Sequence, residues 1–165
     1  MLSPQVEEAM NDQLQVELQS AYVYLGMAAY CETQSLGGFA RWLHKQAEEE
    51  YAHAMRFYDF INDRGGRVIL KALHTPPNDY PSSLAVFEKA LEHERGVTAA
   101  INELYELVAE AKDFASQAWL DWFATEQVEE EKTVGLIVTQ LKMIGDGGEA
   151  LFMLDKDLGG RSQTA

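Results

Sequence analysis

Between Pro4 and Ile144, apolar residues recur every three or four positions through four long stretches, and each apolar stripe turns polar near its middle. That period belongs to α-helices, and no stretch shows the alternation of a strand. At 3.5-residue spacing the first seam runs Leu14, Glu17, Ala21, Tyr24 and Ala28, with Leu18 and Leu25 alongside. The second runs Phe39, Leu43, Gln46, Glu50, His53, Phe57 and Phe60. The third runs Leu84, Phe87, Leu91, Glu94, Thr98, Ile101, Tyr105 and Val108. The fourth runs Leu120, Phe123, Gln127, Glu130, Val134, Ile137, Leu141 and Ile144.

Punctuation sets the boundaries. Ser3-Pro4 is a helix start, Gly65-Gly66 a helix stop, and Pro76, Pro77 and Pro81 mark a long extended connection. The expected helices span about 4–32, 39–64, 83–111, 114–144 and 149–158, followed by a polar tail, 159–165. Short, long and short connections predict an all-α, single-domain four-helix bundle. Helices one-two and three-four form hairpins, and a long crossover joins helices two and three. The fifth helix is too short to stand alone, so its apolar residues (Ala150, Leu151, Phe152 and Leu154) are expected to bury against neighbouring subunits.

An ionised carboxylate alone in an apolar core costs many kcal/mol. Here Glu17, Glu50, Glu94, Glu130, His53 and Gln127 occupy four seams at similar depth. Glu17 and Glu50 are 33 positions apart, and so are Glu94 and Gln127. No lysine or arginine shares the seams at that level, so bound cations are the expected partners. Carboxylates with one imidazole suit iron or manganese. Glu50 and His53, at i and i+3, share one helix face. Bundle di-iron sites take one Glu from each of two helices and Glu-x-x-His from the other two. The second such pair is here Gln127-x-x-Glu130, so carboxylates alone would hold the second metal, a weaker site that suits a transient ion. Gln127 is either close to that site or a hydrogen-bonding core amide.

Overall charge adds exclusions. The chain has 27 acidic against 13 basic side chains, a net charge of −14, which disfavours nucleic acid and anionic membranes. The single cysteine, Cys31, excludes an internal disulfide and a CxxC metal ribbon. The first ten residues lack a signal-peptide pattern and no stretch is apolar enough to span a bilayer, so a soluble cytoplasmic protein is expected.

These motifs resemble the non-haem ferritins of bacterial and archaeal type over almost the whole chain. The resemblance rests on Glu17 with Tyr24, Glu49-Glu50-x-x-His53, His93-Glu94, and Trp122 through Glu126-Gln127-x-Glu129-Glu130. It implies a ferritin-like bundle and a shell of 24 identical subunits storing ferric mineral. It also implies oxidation of two Fe(II) per subunit by dioxygen or hydrogen peroxide. One iron would lie at Glu17, Glu50 and His53, and the other at Glu50, Glu94 and Glu130 with Gln127 close by. A third iron position would be lined by Glu49, Glu126, Glu129 and Glu130. Tyr24 matches the family tyrosine that donates an electron or a hydrogen bond, and it joins Glu50 and His53 as a catalytic candidate. Trp122 is a second redox candidate. Haem of the bacterioferritin kind is not expected, because Tyr51 stands where those proteins carry methionine. Gln117 and Leu120 replace the acids of the animal three-fold channel, which leaves the route of iron into the protein open. Two rival readings are a bundle di-iron oxidoreductase without storage and a metal-free helical assembly.

Overall fold

The computed structural model describes residues 1–145 and 148–160. Its elements are α1 (Pro4–Thr33), α2 (Gly37–Asp63), α3 (Ser83–Glu110), α4 (Phe114–Ile144) and α5 (Gly148–Gly159). No strand occurs among the described residues, and no helix there is long and apolar enough to cross a membrane. Most of the polar tail expected at 159–165, from 161 onward, lies outside the described residues, as do positions 146 and 147 of the glycine-rich joint. Side-chain caps start three of the helices: Ser3 accepts from the Val6 amide, Ser82 from Ala85 and Asp113 from Ser116. The two hairpin turns are closed by non-glycine residues in the left-handed region, Ser35 (φ 58°) and Lys112 (φ 54°).

The helix expected from about Phe39 begins two residues earlier, at Gly37. Its Ncap, Leu36, offers no side-chain acceptor. The missing cap comes from α5, where Asp155 accepts from the amides of Gly38 (3.1 Å) and Phe39 (2.8 Å). A Cβ at Gly38 would collide with the Asp155 carbonyl, so only glycine allows α5 this close. Within the chain, then, α5 packs on α2. Leu151, Leu154 and Leu158 lie against the core, whereas Phe152 is 66% and Met153 52% exposed. The expected burial against neighbouring subunits is thus met in part by the subunit's own α2, through an acid the hydrophobic pattern does not register.

The crossover between α2 and α3 runs along α1 on a polar ladder. Asn11 donates to the Arg67 carbonyl and accepts from the Ile69 amide, Gln15 donates to Ala72, and Gln19 exchanges two bonds with the His74 backbone. These three residues are four apart, so one face of α1 satisfies the backbone of an extended segment. Gly26 admits the crossover farther along, where a Cβ would meet the Pro76 ring at 3.2 Å.

Inside the bundle the apolar core is divided. One cluster includes Met27, Cys31, Phe39, Trp42, Leu43, Phe87 and Val134. The other includes Met10, Leu14, Phe57, Ile61, Ile101, Leu120 and Phe123. Between them lies a buried polar belt: Gln13, Glu17, Ser20, Gln46, Glu50, His53, Glu94, Gln127 and Glu130. The first, second and fourth seams face inward as expected except at Leu25, which is 43% exposed because it lies one position past the inward-facing Tyr24. On α3, Leu84, Leu91, Thr98 and Tyr105 are half-buried, and Val86, Ala90, Val97 and Leu104 join Phe87, Glu94, Ile101 and Val108 inside.

Candidate metal centre

All four helices contribute to the belt. Glu17 comes from α1, Glu50 and His53 from α2, Glu94 from α3, and Gln127 and Glu130 from α4. Each carboxylate is at most 5% exposed. Their ligand atoms gather in overlapping groups. Glu17, Glu50 and His53 form one, and Glu50, Glu94 and Glu130 a second, with the atoms in each within 4.8 Å of one another. Glu50 belongs to both. The two groups coincide with the two iron positions the resemblance implies.

The first group converges on one nitrogen. His53 Nδ1 is 3.5 Å from Glu50 Oε2 and 4.0 Å from Glu17 Oε2. Those two oxygens are buried and have no hydrogen-bond partner. The opposite oxygens are satisfied: Gln13 donates to Glu17 Oε1 (2.9 Å) and Gln46 to Glu50 Oε1 (3.4 Å). Unpartnered carboxylate oxygens inside a core demand an explanation. Two of them facing an imidazole nitrogen supply the donor set of a divalent cation.

The second group is tied by neutral donors. Tyr24 donates its hydroxyl proton to Glu94 Oε1. Gln127 Nε2 lies 3.3 Å from the Glu94 carbonyl, from Glu94 Oε2 and from Thr98 Oγ1. Gln46 donates to Glu130 Oε2 at 2.6 Å. Of the two roles open to Gln127, the geometry displays the hydrogen-bonding amide, placed against a carboxylate of the second group.

Crowding these acids in a low-dielectric space raises their pKa values. Burial raises Glu17, and the neighbouring Glu50 charge adds to it, while His53 and the Gln13 bond oppose it. Burial, Glu94 and Glu130 raise Glu50. Burial also raises Glu94, against the Tyr24 and Gln127 bonds. Glu130 is pushed up to about 8 by burial and by Glu94. Burial and the Glu94 charge raise Tyr24, which therefore stays protonated as a donor. Among the described residues no lysine or arginine pairs with any of the four acids. Without a cation, the cheapest state of the site is partly protonated.

The residues expected around a third position part company. Glu126 joins His53 and Glu130 in a third group of potential ligands. Glu49 is half-buried, and its charge helps to raise Glu130. Glu129 is exposed and paired with Lys132 at 3.4 Å, and it belongs to none of the three groups. A step of 100° per residue carries it past the inward arc that Glu126 and Glu130 share. Trp122 meets the His53 ring edge-on at 5.3 Å, with the Arg56 guanidinium 3.7 Å over its face. His93, the neighbour of Glu94 in the motif, bonds Ser20 at 2.7 Å, and burial lowers its pKa and favours the neutral ring.

Sequence reasoning places Gln46 on its seam without a role and omits Gln13. The signal for both is the i, i+4 spacing: Gln13 precedes Glu17 and Gln46 precedes Glu50 by one helical turn.

Known proteins are similar to this chain over nearly its whole length. The ferritin-like domain family matches residues 7–144. The bacterial non-heme ferritin of Staphylococcus aureus (strain USA300) is 40% identical over 162 residues, 98% of each chain, and that of Staphylococcus epidermidis 41% over the same length. An open pore ferritin from the archaeon Archaeoglobus fulgidus superposes with a TM-score of 0.97 at 45% identity, covering 98% of this chain and 100% of the other. A bundle whose four helices each send a carboxylate into one buried belt, matched over nearly its full length by these proteins, belongs to the ferritin family.

Proposed function

We propose that this chain oxidises Fe(II) to Fe(III) at the buried belt and stores the ferric product in a homo-oligomeric shell of 24 subunits in the cytoplasm. The observation that carries the reading is the pair of unpartnered oxygens, Glu17 Oε2 and Glu50 Oε2, facing His53 Nδ1. The shell is supported by likeness to ferritins along the whole chain.

Iron here is substrate and cargo. Glu17 and His53 hold one Fe(II), Glu94 and Glu130 hold the other, and Glu50 is shared. Each ion gives one electron to dioxygen or hydrogen peroxide. Because burial keeps these acids partly protonated, cations must displace protons as they bind. Hydrolysis of Fe(III) releases more. Tyr24 fixes Glu94 through its hydroxyl and adjoins the reacting pair, which suits it to supply an electron or a proton. Glu126, grouped with His53 and Glu130, and Glu49, whose charge acts on Glu130, offer a third iron a place on its way out.

The test is aerobic addition of Fe(II), then gel filtration with iron analysis. Hundreds of irons eluting with a particle of several hundred kDa are expected. A small particle retaining two or three irons would overturn storage in favour of a di-iron oxidoreductase.

A further inference from the structure

We propose that Gln46 is a positioning residue for the carboxylate-rich half of the centre, and that Gln13 plays the same part for the imidazole half. The inference rests on the two-position reading above. Gln46 is fully buried and lies one turn before Glu50 on α2. Its amide nitrogen reaches across the bundle to Glu130 Oε2 on α4 at 2.6 Å and touches Glu50 Oε1 at 3.4 Å. One NH2 group thus spans two carboxylates on different helices that would otherwise repel. A lysine could also span them, but its charge would compete with the incoming cation. An apolar side chain would remove the donor that the two acids share. An amide offers two protons and no net charge, so it spaces the carboxylates and leaves their charge for metal.

Gln13 shows the same device in simpler form. It touches only Glu17, at Oε1, and leaves Oε2 turned toward His53. The two glutamines therefore divide the site. The short bond of Gln46 is to Glu130, which belongs to the second group and not the first, whereas the one bond of Gln13 is to Glu17, which belongs only to the first. Removing each should weaken a different cation.

The experiment is anaerobic calorimetric titration of the full-length protein with Co(II), which stays divalent and reports each position through its visible spectrum. The wild-type protein should take up two equivalents per chain, the first, at the His53 group, tighter than the second. Gln46→Met, close in length and without a donor, should weaken the second equivalent about 10- to 100-fold, the range for losing a partner that orients a metal ligand. The first should change by less than about threefold. Gln13→Met should show the reverse. If Gln46→Met does not fold, Gln46→Asn carries the test, because it keeps the amide but is one carbon too short to reach Glu130. Equal losses at both positions, or none at either, in variants that melt like the wild type would overturn the assignment. A wild-type chain with no tight Co(II) would instead overturn the metal reading itself.

Discussion

The two apolar ends of the bundle and the belt between them are equally hidden from water and opposite in chemistry. Phe57, at one end, is 0% exposed, and Glu50, two turns away on the same helix, is 1% exposed. Phe57 packs edge-on or tilted against Trp119 and Phe123, a contact favourable in any condition. Glu50 sits among Glu17, Glu94 and Glu130 with one oxygen unpartnered, an arrangement favourable only once a cation arrives. The ends hold the bundle together, and the belt spends part of that stability on a site for charge.

Paired truncations on α2 separate the two roles. Phe57→Ala removes a ring from a close-packed end and should cost about 3–5 kcal/mol of stability, read by chemical denaturation of the metal-free protein. Oxidation per folded chain should change little. Glu50→Ala should invert this pattern. It deletes the shared ligand, so initial Fe(II) oxidation should fall by at least about 100-fold. The metal-free protein should unfold no more easily than the wild type, since a strained acid has been removed. If Glu50→Ala cost as much stability as Phe57→Ala, the belt would be structural and the comparison would fail.

The belt also sets a pH dependence that the ends lack. Its acids have folded-state pKa values above their unfolded values, so they stabilise the metal-free fold fully at low pH and progressively less as they ionise. For Glu130 that loss is complete only above its folded value of about 8. Melting in the presence of a chelator should therefore show a midpoint that falls by several degrees from about pH 5 to about pH 8. Saturating Mn(II) should flatten or reverse the slope, because the cation binds the ionised form. Glu130→Gln should reduce the fall in the chelated sample. A metal-free midpoint that held steady or rose over this range would remove the strain attributed to the belt.

Much of this contrast is legible in the sequence because helical periodicity reports which residues face inward, and a carboxylate on an inward arc is conspicuous. Glu17, Glu50, His53, Glu94 and Glu130 stand out on that ground alone. Periodicity is silent about partners that lie across space. Asp155 caps α2 from 116 residues away, as counted to Phe39. Asn11, Gln15 and Gln19 read as an ordinary solvated face until the crossover is laid along them. Gln46 sits on its seam with no evident role and Gln13 lies beside one, and only the direction of their amides reveals what they hold. Glu129 marks a finer limit: like Glu49 and Glu126 it lies one residue off the core seam, and only the structure shows that Glu126 turns toward His53 and Glu130 while Glu129 pairs with Lys132.

Glu129 provides the smallest and most discriminating effect. The third position was expected to draw on Glu49, Glu126, Glu129 and Glu130, but the structure gathers only Glu126 with His53 and Glu130 and leaves Glu129 against Lys132 at the surface. An exposed ion pair of this kind contributes at most about 1 kcal/mol and is screened by salt. Glu129→Gln should therefore leave uptake of a third iron per chain within about twofold of the wild type. Glu126→Gln removes a member of a compact group of three and should weaken that uptake about 10-fold. Neither change should alter the first two equivalents, since neither residue belongs to their groups. Anaerobic Fe(II) binding, counted per chain, distinguishes the outcomes. Equal losses in the two variants would mean that the third position reaches the outer face of α4 and that the boundary between belt and surface lies one residue farther out than the helical phase puts it.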